Sequence, residues 1–185
     1  MIFISSRSGG SWGAPQSISL FNDTSISVAH PAISPDGNIL YFATDAPGGY
    51  GGKDLWRARL KAGKAEYVEN LGPEINTSGD EMFPTFRPDG TLYYSSNGKP
   101  GVGGLDIFKA VQTQKPDSTK GWQVTHMGIP VNSGADDFGM AFEGDKEKGY
   151  FSSNRNETRG YDALWSFVLP ELEYVLEGKI TARNR

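Results

Sequence analysis

One segment of this chain occurs three times in register. A sequence that repeats at this period builds its core by stacking one copy on the next, because no copy can bury its own apolar face alone. The clearest copy runs Phe83-Pro84-Thr85-Phe86-Arg87-Pro88-Asp89-Gly90, then Leu92-Tyr93-Tyr94-Ser95-Ser96-Asn97, a glycine loop Gly101-Val102-Gly103-Gly104, and Leu105-Asp106-Ile107-Phe108. An earlier copy runs His30-Pro31-Ala32-Ile33-Ser34-Pro35-Asp36-Gly37 through Leu40-Tyr41-Phe42 to Gly51-Gly52-Lys53-Asp54-Leu55-Trp56. A more worn third begins at Phe138-Gly139-Met140, passes Tyr150-Phe151-Ser152-Ser153-Asn154 and ends at Gly160-Tyr161-Asp162-Ala163-Leu164-Trp165. Asp36 and Asp89 lie 53 residues apart, and Asp106 and Asp162 lie 56 apart. Solenoids, propellers and arrays have periods of this size.

Each copy reads as a hairpin, a glycine loop and a third strand, with a fourth strand after it. In the second unit the strands are expected near residues 82–87, 91–96, 106–111 and 121–126. The first turn is well specified. In Ser34-Pro35-Asp36-Gly37 and Arg87-Pro88-Asp89-Gly90, proline presets φ, aspartate can accept from nearby backbone N–H groups, and glycine takes the left-handed position. The third unit has Glu143-Gly144 there and inserts Asp145-Lys146-Glu147-Lys148, which predicts a longer, more mobile hairpin.

A connector also repeats: Leu71-Gly72-Pro73-Glu74-Ile75-Asn76 through Glu81 aligns without gaps on Met127-Gly128-Ile129-Pro130-Val131-Asn132 through Asp137. It reads as the crossing between sheets, with Asn and Asp side chains accepting from backbone donors where the chain turns. The opening Ile2-Phe3-Ile4-Ser5-Ser6-Arg7 matches the end of a repeat, not its start. After Pro170-Glu171 a new alternation begins, so residues 1–169 form the repeat region and 170–185 a closing strand or the start of a further β-sandwich domain. Helical periodicity is absent, and 24 glycines, 11 prolines and 12% aromatic residues suit short strands joined by tight turns.

A formal charge of −4 leaves no basic stripe for phosphates, which argues against nucleic acid as a partner. No apolar run approaches membrane-spanning length, so membrane insertion by this segment is not expected. The absence of cysteine removes disulfides, thiolate metal sites and thiol nucleophiles. The first residues lack the basic start and long apolar centre of a signal peptide, so a signal on an exported parent would lie upstream.

The pattern aromatic-Pro-x-x-x-Pro-Asp-Gly, then Leu-Tyr-aromatic, then Gly-Gly-x-Asp-Ile/Leu-aromatic resembles the TolB-type Pro-Asp propeller repeat, also described as WD40-like. The resemblance covers residues 2–167 and implies a β-propeller of four-stranded antiparallel blades: three complete blades plus the trailing part of another, from a ring of about six. The final Leu-Glu-Tyr-Val-Leu-Glu-Gly-Lys-Ile segment resembles the start of the domain that follows such propellers in OmpA-family envelope proteins of Bacteroidetes-type bacteria. That resemblance implies a periplasmic or outer-membrane-associated scaffold whose partner is an envelope protein or cell-wall component. Three sheets do not close a ring, so the missing propeller half or a second copy is expected to complete it.

Asp54, Asp106 and Asp162 recur once per unit, as Asp36 and Asp89 do at their turns, whereas an active site occurs once. All five are therefore expected to satisfy backbone N–H groups of their own loops, with no catalytic residue, cofactor or metal assigned. Two alternatives stay open: a calcium-stabilised module built on the glycine–aspartate loops, and a carbohydrate-binding or glycoside-processing propeller using Asp80, Glu81 or Asp136. His30 and His126 occupy different places in their units and lack metal-ligand spacing. Trp56, Phe108 and Trp165 share one position and are expected in the core between sheets. Trp12 and Trp122 are expected to pack against neighbouring strands.

Overall fold

The computed structural model describes residues 1–114, 120–156 and 161–170, and within them the chain is all-β, with antiparallel sheets and no helix. It opens with β1 (Ile2–Ile4), β2 (Arg7–Ser8), β3 (Ser11–Trp12) and β4 (Gln16–Ile18), in which β1 pairs with β4 and β2 with β3. The first four-stranded sheet is β5 (Val28–Ile33), β6 (Ile39–Thr44), β7 (Asp54–Lys61) and β8 (Lys64–Asn70), in sequence order. The second repeats it with β9 (Glu81–Phe86), β10 (Leu92–Ser96), β11 (Asp106–Gln114) and β12 (Lys120–His126). The third has three described strands, β13 (Asp137–Phe142), β14 (Lys148–Ser153) and β15 (Ala163–Val168). Its expected fourth strand falls after Pro170, as does the predicted segment 170–185 apart from that proline, outside the described residues.

Both faces of the second sheet are buried, which explains its nearly continuous apolar strands. Leu92, Tyr94, Phe108 and Ala110 face Ala43 and Leu55 of the first sheet, while Tyr93 and Ile107 face Met140, Phe151 and Phe167 of the third. A third core joins Ile2 and Ile18 of the opening strands to Leu40, Phe42 and Ala58. The sheets therefore stack in series. Ile75 of the first connector and Val131 of the second fill equivalent places in successive cores. Trp56, Phe108 and Trp165 each join the core facing the preceding sheet.

The Pro-Asp-Gly turns close as their chemistry dictates. Gly37 N donates to Ser34 O at 2.8 Å and Gly90 N to Arg87 O at 3.0 Å, with both glycines at positive φ (74° and 86°). Asp36 Oδ1 accepts from Asn38 N at 3.2 Å, and Asp89 Oδ1 from Thr91 N at 2.9 Å. Each first strand carries a bulge against its second strand, at His30-Pro31, Phe83-Pro84 and Gly139-Met140. One ring per sheet, in the bulge of the first two sheets and beside it in the third, stands in a row. His30 stacks on Phe83 with centroids 3.9 Å apart, and Phe83 on Phe138 at 4.8 Å.

Candidate functional site

The glycine loops and connectors form one repeated polar lattice where each sheet passes to the next. In the first unit Asp54 Oδ2 accepts from Asn70 Nδ2 at 2.8 Å and also from Tyr50 N. In the second, Asp106 Oδ2 accepts from Val102 N at 2.9 Å and Gly103 N at 3.1 Å. Both aspartates are 1% exposed. The same loop then wraps onto the following connector: Lys53 N donates to Asp80 Oδ1 at 2.7 Å, and Leu105 N to Asp136 Oδ1 at 2.8 Å. Gly51 and Gly103 lie so close to connector carbonyls that a Cβ on either would collide with backbone.

Asp162 departs from this pattern. It is exposed, and the loop before it at residues 157–160 lies outside the described residues. The register gives the reason: Thr44 pairs with Asp54 and Ser96 with Asp106, but Ser153 pairs with Ala163, so Ala163 stands in the aspartate's place and Asp162 lies one residue before the strand.

Two connector residues that sequence reasoning assigned only a general turn role act as clamps. Asn76 Oδ1 accepts from Leu55 N at 2.8 Å while its Nδ2 donates to Leu55 O at 2.9 Å. Asn132 makes the same pair with Ile107, at 2.7 and 2.9 Å. Each thus bonds to the third strand of its sheet rather than to its own turn. The ungapped alignment of the two connectors was the available signal.

His126 stands where the first unit has Asn70. Asn70 Oδ1 accepts from Gly72 N at 2.8 Å while its amide nitrogen serves Asp54. His126 Nδ1 accepts from Gly128 N at 3.1 Å, and its Nε2 lies 2.8 Å from Asn132 Nδ2 and 3.4 Å from Asp106 Oδ1. The imidazole thus meets the three groups equivalent to those that Asn70 meets: the loop aspartate, the glycine N–H and the connector asparagine. His30 belongs instead to the ring row, so the two histidines serve different sheets.

The carboxylates that stood as glycosidase candidates are engaged in structure. Glu81 is fully buried, accepting from Thr77 N at 2.8 Å, Thr77 Oγ1 at 2.6 Å and Ser96 Oγ at 2.6 Å. Asp80 and Asp136 hold the loops named above. In the third unit Asp137 replaces Glu81, and the shorter side chain meets the Arg155 guanidinium, whose Nε lies 3.2 Å from Asp137 Oδ1. Arg155 also donates to Pro130 O at 2.7 Å and lies over the Phe151 and Trp165 rings. Among the described residues no group of three His, Asp or Glu side chains is placed to hold a metal ion.

Trp122 is half-buried against the core between the first two sheets. Trp12 corrects its expectation: it is 69% exposed, because it sits on the short two-stranded β2–β3 ribbon, which pairs with no further strand among the described residues.

Two stability tests arise here. Asp106→Ala should cost about 1 to 3 kcal/mol, through stranded loop N–H groups, and Asp89→Ala at its exposed turn about 0.5 kcal/mol. Urea melts that reversed this order would remove the glycine-loop aspartate as an anchor. The second test concerns His30, whose pKa is lowered by burial and by the nearby Lys53 charge. The neutral ring is then the form the fold favours, so the unfolded chain binds more protons below about pH 6.5, the unperturbed value. Stability from His30 is present above that pH and is lost as pH falls through its folded pKa. His30→Phe should flatten the decline in urea midpoint between pH 7.5 and pH 5 relative to the parent, and an unchanged slope would contradict this assignment.

No family model and no curated protein matches the sequence. Among solved structures, the chain is similar to a crystal structure of a puromycin hydrolase mutant complexed with PGG, at 13% identity and a TM-score of 0.35 over 69% of this chain; the match spans 25% of that structure's chain.

Proposed function

We propose that this chain is a sector of a β-propeller acting as a non-catalytic interaction scaffold of the bacterial cell envelope, presenting its loops to an envelope protein or cell-wall component. The observation that carries the non-catalytic reading is the use of the carboxylates. Asp54, Asp80 and Glu81 have counterparts in Asp106, Asp136 and Asp137, and every one of them accepts hydrogen bonds that hold a loop or connector in place. Groups that hold a loop or connector at the same place in successive units are poor candidates for general acid or base. The envelope setting rests on the resemblance of the repeats alone.

The serial stacking of sheets supports the propeller. Tyr150 and Leu164 occupy the places of Tyr93 and Ile107, which the third sheet covers, yet they are 44% and 73% exposed against 3% and 0%. A face of this composition is suited to a further sheet of the same kind, from the same ring or from a second copy. Light scattering on the 185-residue chain should give a dimer or larger species, and a stable monomer would count against an uncovered face. The function is tested by co-sedimentation with purified envelope fractions beside turnover assays on chromogenic peptides and glycosides. Retention on the envelope without turnover is expected; turnover abolished by replacing a single carboxylate would overturn the reading.

A further inference from the structure

The feature of the first sheet that its neighbour lacks is an inserted tyrosine. Arg57 pairs with Glu69, but Arg59 pairs with Glu66, so Tyr67 and Val68 together oppose the single residue Ala58. Val68 turns into the core, and Tyr67, at a φ of 54°, is thrown outward to 77% exposure. A positive φ at an aromatic residue is costly, and such strain persists where the surroundings or a function demand it. The equivalent β11–β12 pair keeps unbroken register from Phe108 and His126 to Gln114 and Lys120, and has no residue in the place of Tyr67.

Tyr67 borders an open groove of about 480 Å³, lined also by Asp36, Asn38, Arg57, Arg59 and Glu69. That volume falls within the range of small-molecule sites. Four of the polar groups are paired: Asn38 Nδ2 donates to Asp36 Oδ2 at 3.0 Å, and Arg57 Nε to Glu69 Oε1 at 2.7 Å. Two carboxylates face two guanidinium groups, so the groove offers no net field to an ion. It offers instead several planar groups, each with paired donors or acceptors, beside an exposed aromatic face. In the second sheet the matching groove has Asp89 and Lys109 but is bounded by the Arg87–Glu147 ion pair at 2.7 Å and Pro170, with no exposed ring.

We infer that the groove around Tyr67 is a binding site for a neutral glycan. The ring takes the C–H face of a pyranose, and Asp36, Asn38 and Arg59 pair with its neighbouring hydroxyls. This gives the scaffold a partner class and rests on the scaffold reading for its non-catalytic character only.

The test is saturation-transfer NMR on the full chain with chitotetraose, cellotetraose and maltotetraose, and polygalacturonate as an anionic comparison. At least one neutral tetrasaccharide should bind, about tenfold more weakly in each of Tyr67→Ala and Arg59→Ala, with Trp12→Ala unchanged. Both test residues are exposed, so the folded chain is retained in either variant. Binding by none of the three sugars, binding that survives both replacements, or a preference for the anionic polymer would overturn the site. Cleavage of a bound sugar would leave the site standing and overturn the non-catalytic scaffold, so the two readings fail separately.

Discussion

Replacing Arg155 by methionine should destabilise the chain by about 3 to 5 kcal/mol in urea melts, a larger loss than any one hydrogen-bonding side chain of the sheet junctions should produce. Asp137 is fully buried, and the Arg155 guanidinium is its charge partner. Methionine keeps the stacking over Phe151 and Trp165 in part but leaves the carboxylate, among the described residues, with Ser133 to answer it, through that residue's N and Oγ. The carbonyls of Pro130 and Val131 lose donors as well. The second unit shows that the charge pair is not required by the architecture: Glu81 fills the same place with Thr77 and Ser96 as donors and Gly98 where Arg155 stands. Asp137→Asn combined with Arg155→Met should therefore recover much of the loss, because the uncompensated buried charge is gone. A double variant as unstable as the single would mean that packing, not charge, sets the cost.

What the sequence disclosed is what is encoded locally. The Pro-Asp-Gly turns were legible because proline, aspartate and glycine each specify backbone geometry within four residues. The strands followed from turn spacing, so β9, β10 and β12 lie within a residue of expectation at each end. Strand β11 runs three residues further, to Gln114. The loops of Asp54 and Asp106 were legible from their recurrence. Arg155 was not, since its role depends on a one-methylene difference between Glu81 and Asp137 sensed across the sheet. Nor was Tyr67: the bulge that exposes it is a mismatch in register between two strands, and nothing within β8 alone distinguishes it from an inward-facing tyrosine. Trp12 departs from expectation because an aromatic near a strand start ordinarily has a neighbour to pack on, while the ribbon that carries it pairs with no further strand among the described residues.

The asparagine clamps decide whether the repeats are joined by cooperating parts or merely share a shape. Asn132→Ala should cost about 1 to 3 kcal/mol, because Asn132 is 1% exposed and its loss strands the N–H of Ile107 in the core, while Ile107 O keeps the bond from Met127 N at 3.1 Å. Asn76→Ala should cost a similar amount through Leu55. Burial alone would not produce such a loss: the amide's value lies in answering the backbone N–H of Leu55 or Ile107, while the carbonyl of the same residue is shared with Leu71 N or Met127 N. The two clamps share no bonding partner, so their costs should add within about 0.5 kcal/mol if the chain unfolds as one unit. If the chain instead unfolds sheet by sheet, as repeat arrays do when coupling is weak, each variant should split the urea transition and lower only the step belonging to its own junction. Tryptophan fluorescence read beside circular dichroism separates the cases. A single coincident transition shifted by both variants supports serial cores that cooperate, and a loss under about 1 kcal/mol for either would show that the clamp is dispensable.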